Sequence, residues 1–131
     1  MTSPPREIDV TRVLCSLAEL AATGSRGFTT GEGDWPLRGF VVRRGAEIHA
    51  YVNHCPHAGH ALNARPHSFL APAMPLIQCS SHGALFEMET GFCLAGPCAG
   101  ARLRPIELRI ERGYVLVADD VQLSEPPDLG R

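Results

Sequence analysis

Lysine is absent from this chain of 131 residues, in which all twelve basic side chains are Arg. Against fourteen acidic residues they leave a net charge of −2. That balance argues against a nucleic-acid footprint, which needs a basic stripe to displace counterions. Nor does any apolar run approach the roughly twenty residues of a membrane span. The opening segment, Met1-Thr-Ser-Pro-Pro-Arg-Glu-Ile8, has neither the basic stretch nor the apolar stretch of a secretory signal. The expectation is therefore a soluble cytoplasmic protein with no membrane and no nucleic-acid partner. An even cysteine count is also missing. Five Cys fit a secreted disulfide framework poorly, and Cys interleaved with His in a cytosolic setting points to metal binding.

What is present is the composition of one folded domain, 44% hydrophobic and 20% charged. Thirteen Gly and eleven Pro favour short elements joined by turns. Val10 to Leu17 is strand-like and runs into an Ala-rich stretch, 18–22, that reads as one helical turn. Three hairpins follow from β-branched and aromatic runs around turn residues: 38–44 with 47–52, 84–88 with 92–94, and 105–110 with 114–117. In the third, Ile106, Leu108 and Ile110 alternate with polar residues, the pattern of a strand with one buried face. The fold class expected is all-β and antiparallel. Its domain spans 7–120, with a scaffold of 7–52 and 100–120, a subdomain of 53–99 and flexible ends at 1–6 and 121–131.

The subdomain stands out by charge. From Asn53 to Ala99 only Arg65, Glu87 and Glu89 are charged, yet this stretch holds five of six His and four of five Cys. Within it, Cys55-Pro-His57 and Cys79-Ser-Ser-His82 each put a thiolate and an imidazole on one short loop after a strand-like run. Gly59 and Gly83 follow the two His and let the backbone turn sharply, bringing amide N–H groups near a buried sulfur. A Cys₂His₂ set also suits zinc. Zinc fingers, however, usually pair like with like. A mixed pair on each loop suits a dinuclear iron–sulfur cluster, with both Cys on one iron and both His on the other.

The segments Cys55-Pro-His-Ala-Gly-His60 and Cys79-Ser-Ser-His-Gly-Ala-Leu-Phe86, followed by Glu89-Thr-Gly91 and Gly96-Pro97, closely resemble the Rieske motif, over roughly 38–117. The resemblance implies a sandwich or barrel-like antiparallel β scaffold with a small cluster-binding subdomain at one end. It implies a [2Fe–2S] cluster held by Cys55, His57, Cys79 and His82, with a Pro loop at Gly96-Pro97 covering it. Two thiolates neutralise an oxidised core of two ferric ions and two sulfides, so an electron enters more easily than with four thiolates, and His₂ ligation raises the potential. High-potential members of the family carry a disulfide between the two loops and a Ser near a sulfide. Here those positions are His60, Ser81 and Ala84. The chain thus resembles the lower-potential ferredoxins that pass electrons from a reductase to a terminal oxygenase, both docking at the cluster tip. Fourteen residues after Val117 are too few for an oxygenase catalytic domain. The expectation is an electron carrier with no catalysis and no small-molecule substrate of its own. Two alternatives stay open: a small redox subunit of a larger oxidoreductase of the nitrite-reductase type, and a zinc-stabilised binding module.

Other residues carry plainer expectations. His54 and His60 are read as bonding locally or facing solvent, His49 and Trp35 as scaffold, with an anchor at a partner surface as the alternative for Trp35, and Cys15 as a small hydrophobe in a core strand. Cys93 and Cys98 are read as buried free thiols, with a disulfide or redox-active pair as the alternative. Between the two motifs lie twenty-one residues, 58–78, more than Rieske ferredoxins usually have. They are expected to pack back on the subdomain, or else to widen an apolar docking face through Phe69, Leu70 and Met74.

Overall fold

The computed structural model describes residues 9–56, 60–81 and 83–126. Among the described residues nine strands run in the order β1 (Val13–Ser16), β2 (Ser25–Thr30), β3 (Leu37–Arg44), β4 (Glu47–Val52), β5 (Leu76–Gln78), β6 (Leu85–Glu87), β7 (Cys93–Ala95), β8 (Leu108–Glu111) and β9 (Tyr114–Val117). They form three antiparallel sheets of three strands, β1-β9-β8, β2-β3-β4 and β5-β6-β7. The antiparallel all-β expectation holds.

All three hairpins form where turn residues interrupt the apolar runs. β3 and β4 pair from Gly39↔Val52 to Arg44↔Glu47 around a two-residue turn. β6 and β7 are joined through Gly91, whose φ of +74° closes the turn with its N–H on the Glu87 carbonyl. β8 and β9 pair around Arg112-Gly113. The buried-face expectation for 106–110 fails partway. Ile106 is buried and Leu108 half-buried, but Ile110 is exposed, because β8 is an edge strand whose far end runs past the core.

One helix, α1 (Leu17–Thr23), is a full seven residues instead of the single turn expected. Its start is fixed by a capping box: the Ser16 hydroxyl accepts from the Glu19 N–H, and the Glu19 carboxylate accepts from the Ser16 N–H. The helix buries Leu20 and returns the chain into β2.

The middle sheet explains the rest. β3 carries Phe40-Val41-Val42 as a continuous apolar run, the mark of a strand covered on both faces. Side chains alternate, so Val41, Ala50 and Val52 join Leu37, Val115 and Val117 in one core against the β1-β9-β8 sheet. Phe40, Val42 and Tyr51 point the other way, into a second core with Cys55, Leu62, Phe69, Ile77, Cys79 and Phe86. The Tyr51 hydroxyl donates to the Met88 carbonyl at 2.6 Å, and its burial raises its pKa to about 12. Segment 101–106 stitches the two parts: Cys93 N–H bonds Ala101 O, Leu103 N–H bonds Gly91 O, and Ile106 N–H bonds Ala50 O.

Two scaffold expectations are corrected. Residues 121–126, expected to be a loose end, pack on the scaffold. Val121 and Leu123 join the first core, and the Glu125 N–H bonds the Trp35 carbonyl. Trp35, expected to pack against the scaffold, is 65% exposed in the loop between β2 and β3.

Candidate metal centre

The first cysteine loop leaves β4 at Val52. The Cys55 N–H bonds the His60 carbonyl at 2.7 Å, closing the loop, and the sulfur side chain is fully buried. The return leg is held by Asn53, whose Oδ1 accepts from the Leu62 N–H at 2.8 Å while its Nδ2 donates to Asn63 Oδ1 at 3.0 Å. Leu62 plugs the core beneath. His57, Ala58 and Gly59, named from sequence, lie outside the described residues.

The second loop joins β5 to β6. Here the Cys79 N–H bonds the Ala84 carbonyl at 2.9 Å, and the Gly83 N–H bonds the Cys79 carbonyl at 3.0 Å, with Gly83 at φ +71°. Cys79 is buried in the same core as Cys55. His82 lies outside the described residues. Among the described residues no three metal-ligating side chains gather at metal distance, as follows when half of the expected ligand set is outside them.

The loops are fastened to each other. The Ser80 N–H bonds the Leu62 carbonyl at 2.8 Å. His60 Nδ1 lies 2.7 Å from the Ala61 carbonyl, which can only accept, so Nδ1 carries a proton, and Nε2 is hydrogen-bonded to the Ser81 hydroxyl at 2.9 Å. His60 thus bonds locally, as expected. A third segment closes on the second loop. Gly96, at φ +104°, lies so near Ala84 that a Cβ there would sit 2.8 Å from the Ala84 Cα. Only glycine allows this approach, and it brings the exposed Pro97 beside the loop.

Cys93 and Cys98 lie in this same core with their sulfurs 3.0 Å apart. Burial pushes the Cys98 thiol up to about 12, with the neighbouring Cys93 and then Cys55 adding to the shift. Cys15 is buried in β1, as expected of a small hydrophobe, and burial raises its pKa to about 11.

The segment between the motifs packs inward, against the scaffold as much as the subdomain. Phe69 stacks on Phe40 with ring centroids 4.4 Å apart and planes 9° from parallel. His67 covers the outer edge of β2, its Nδ1 accepting the Gly27 N–H at 3.0 Å and its carbonyl accepting the Ser25 hydroxyl at 2.7 Å. Of the three apolar residues considered for docking, Phe69 is buried and Leu70 half-buried, leaving Met74 exposed. Sequence reasoning missed Asn53 and Leu62, although an Asn just after a strand is a common side-chain support for a turn.

The Rieske [2Fe-2S] domain family matches residues 11–117, and the chain belongs to that family. No curated protein matches. Among solved structures it is similar to the ferredoxin of carbazole 1,9a-dioxygenase from Nocardioides aromaticivorans IC177, at 26% identity and a TM-score of 0.63, covering 82% of this chain and 94% of that one. It is also similar to the plasma membrane Rieske protein PetC3 from Synechocystis PCC 6803, at 26% identity and a TM-score of 0.61, covering 81% and 97%. A third likeness, at 22% identity and a TM-score of 0.61 and covering 81% and 99%, is to a chain in a complex of reduced oxygenase and oxidised ferredoxin in carbazole 1,9a-dioxygenase.

The cofactor of the family is a Rieske-type [2Fe–2S] cluster, and the donor chemistry here fits it. Two buried thiols stand at matching positions of two adjoining loops, each with its own backbone N–H drawn into the loop closure. Apolar walls around the sulfurs and little charge nearby suit a site whose oxidised form is neutral.

Proposed function

We propose that Cys55, His57, Cys79 and His82 hold the cluster and that the chain is a ferredoxin, passing single electrons from a reductase to a terminal oxygenase. The observation that carries this reading is the cross-link between the two cysteine loops. Where high-potential Rieske proteins place a disulfide, this chain has the hydrogen bond between Ser81 and His60. Ala84 stands where those proteins place a hydroxyl, and it is buried with no donor to offer. When bound, the cluster takes up and returns one electron at a time.

The residues do the rest. Leu62 and Ala84 keep the sulfurs dry, and the Ser80–Leu62 bond keeps the loops in register. Pro56, Ala61, Ser80, Gly83 and Pro97 are exposed and uncharged around the loops, a surface that can approach a partner without desolvating charge. Reductase and oxygenase dock there in turn. Similarity to the ferredoxin of carbazole 1,9a-dioxygenase supports that role. The cluster-bearing unit is 53–99 on a scaffold of 7–52 and 100–120. On this reading the chain catalyses nothing alone and works in the cytoplasm. No helix among the described residues is long and apolar enough to cross a membrane.

The test is the midpoint potential, read with transfer to a terminal oxygenase. The potential belongs near the low end of the Rieske range of roughly −150 to +300 mV, and the reduced protein should be reoxidised by an oxygenase on mixing. A value above about +100 mV would move the chain to the branch of the respiratory and photosynthetic proteins. A low value with a permanently co-purifying large subunit would make it a fixed redox subunit instead.

A further inference from the structure

The proposed ligands use two of the four cysteines in the uncharged stretch. The other two, Cys93 at the start of β7 and Cys98 beyond Gly96-Pro97, have sulfurs 3.0 Å apart. That is about 1 Å more than the ~2.05 Å of a disulfide bond. The backbone fixes this approach on both sides. The Cys93 N–H bonds the Ala101 carbonyl, the Gly100 N–H bonds the Cys93 carbonyl, and the Ala101 N–H bonds the Cys98 carbonyl. The Ala99 N–H bonds the Gly96 carbonyl within the turn itself. Both residues are buried, at 1% and 8% exposure, so the contact is a feature of the packed interior and not of two surface rotamers. The turn they bracket is the one that Gly96 seats against Ala84 of the second cysteine loop.

We propose that Cys93 and Cys98 are a redox-active dithiol, closed to a disulfide by a small disulfide oxidant such as oxidised glutathione, and that the bond staples the 93–98 turn, which Gly96 seats against the second cysteine loop. Burial keeps Cys98 mostly protonated, so the exchange is slow: the minor thiolate of Cys98, the more exposed of the two, attacks one sulfur of the oxidant and releases one glutathione thiolate, leaving a mixed disulfide. Cys93 then displaces the second glutathione. The two protein thiols lose two electrons, and their two protons end on the two glutathione thiols formed. The closed ring spans only six residues, so little backbone has to move. This dithiol does not depend on which residues hold the iron.

Mass spectrometry of the intact holoprotein tests it. After incubation with oxidised or reduced glutathione, the protein is denatured in iodoacetamide and cleaved after Glu. The fragment Thr90–Glu107 contains Cys93 and Cys98 and no other Cys. After oxidation it should be unalkylated and two hydrogens lighter, and dithiothreitol should restore a doubly alkylated fragment. Cys93→Ser should trap one glutathione on Cys98. Oxidised wild-type protein should melt about 5 °C above reduced protein, and Cys93→Ser should show no such difference. A fragment doubly alkylated under both conditions, or stalled with glutathione in the wild type, would overturn the dithiol. An unchanged melting temperature would overturn the staple. If Cys93→Ser does not fold, the wild-type fragment alone decides.

Discussion

Each of the two cysteine loops closes on a carbonyl five residues ahead, Cys55 on His60 and Cys79 on Ala84. Each of the two cysteines is buried in the same core. What holds them differs. The first loop hangs on polar side chains, with Asn53 gripping Leu62 and Asn63. The second hangs on backbone and shape, with Gly83 bonding back to Cys79 and Gly96 lying against Ala84. The same backbone closure at a proposed metal ligand is thus reached by two supports. One is sensitive to losing a hydrogen bond, and the other to gaining a carbon atom.

Substitutions can break this comparison in graded steps. The largest effect is expected at the sulfurs: Cys55→Ser and Cys79→Ser should each abolish iron and acid-labile sulfide binding to the same extent, because each removes one of the two thiolates the core needs. A variant that kept full iron content would remove its residue from the ligand set. Next comes Gly96→Ala, which adds a Cβ at 2.8 Å from backbone at a φ of +104°; it should cost about 3 kcal/mol in chemical unfolding. Asn53→Ala leaves the Leu62 N–H without its acceptor and should cost about 1.5 kcal/mol, with amide exchange rising in the first loop and not in the second. Smallest is Ser81→Ala, which removes an exposed bond between the loops and should cost about 0.5 kcal/mol while leaving iron content intact. Equal responses of both loops to Asn53→Ala would show that their supports are shared.

Where turn chemistry and period were strong, the sequence was readable. Gly91 and Arg112-Gly113 marked two hairpins, and the Phe40-Val41-Val42 run marked a strand now seen to be covered on both sides. β2 was not readable: Ser25-Arg-Gly-Phe-Thr-Thr30 has no clean alternation, and it is a strand because it pairs with β3 along its whole length. The tail beyond Val121 and the exposed Trp35 were misread for a related reason, since their places are set by contacts from distant parts of the chain. Half of the candidate site was legible as motif. Cys55 and Cys79, the cysteines of the paired motif, are buried in one core, whereas the Asn53 support and the His60–Ser81 bond needed coordinates. The segment 58–78 offered Phe69 to either face, and stacking on Phe40 decided it.

The ligand set itself is the central claim, with one iron on Cys55 and Cys79 and the other on His57 and His82. Pulsed electron paramagnetic resonance on the dithionite-reduced protein tests it most directly. The account predicts nitrogen couplings from two inequivalent imidazoles, one vanishing in His57→Cys and the other in His82→Cys. A reduced cluster without imidazole nitrogen coupling, or with both couplings surviving these substitutions, would contradict it.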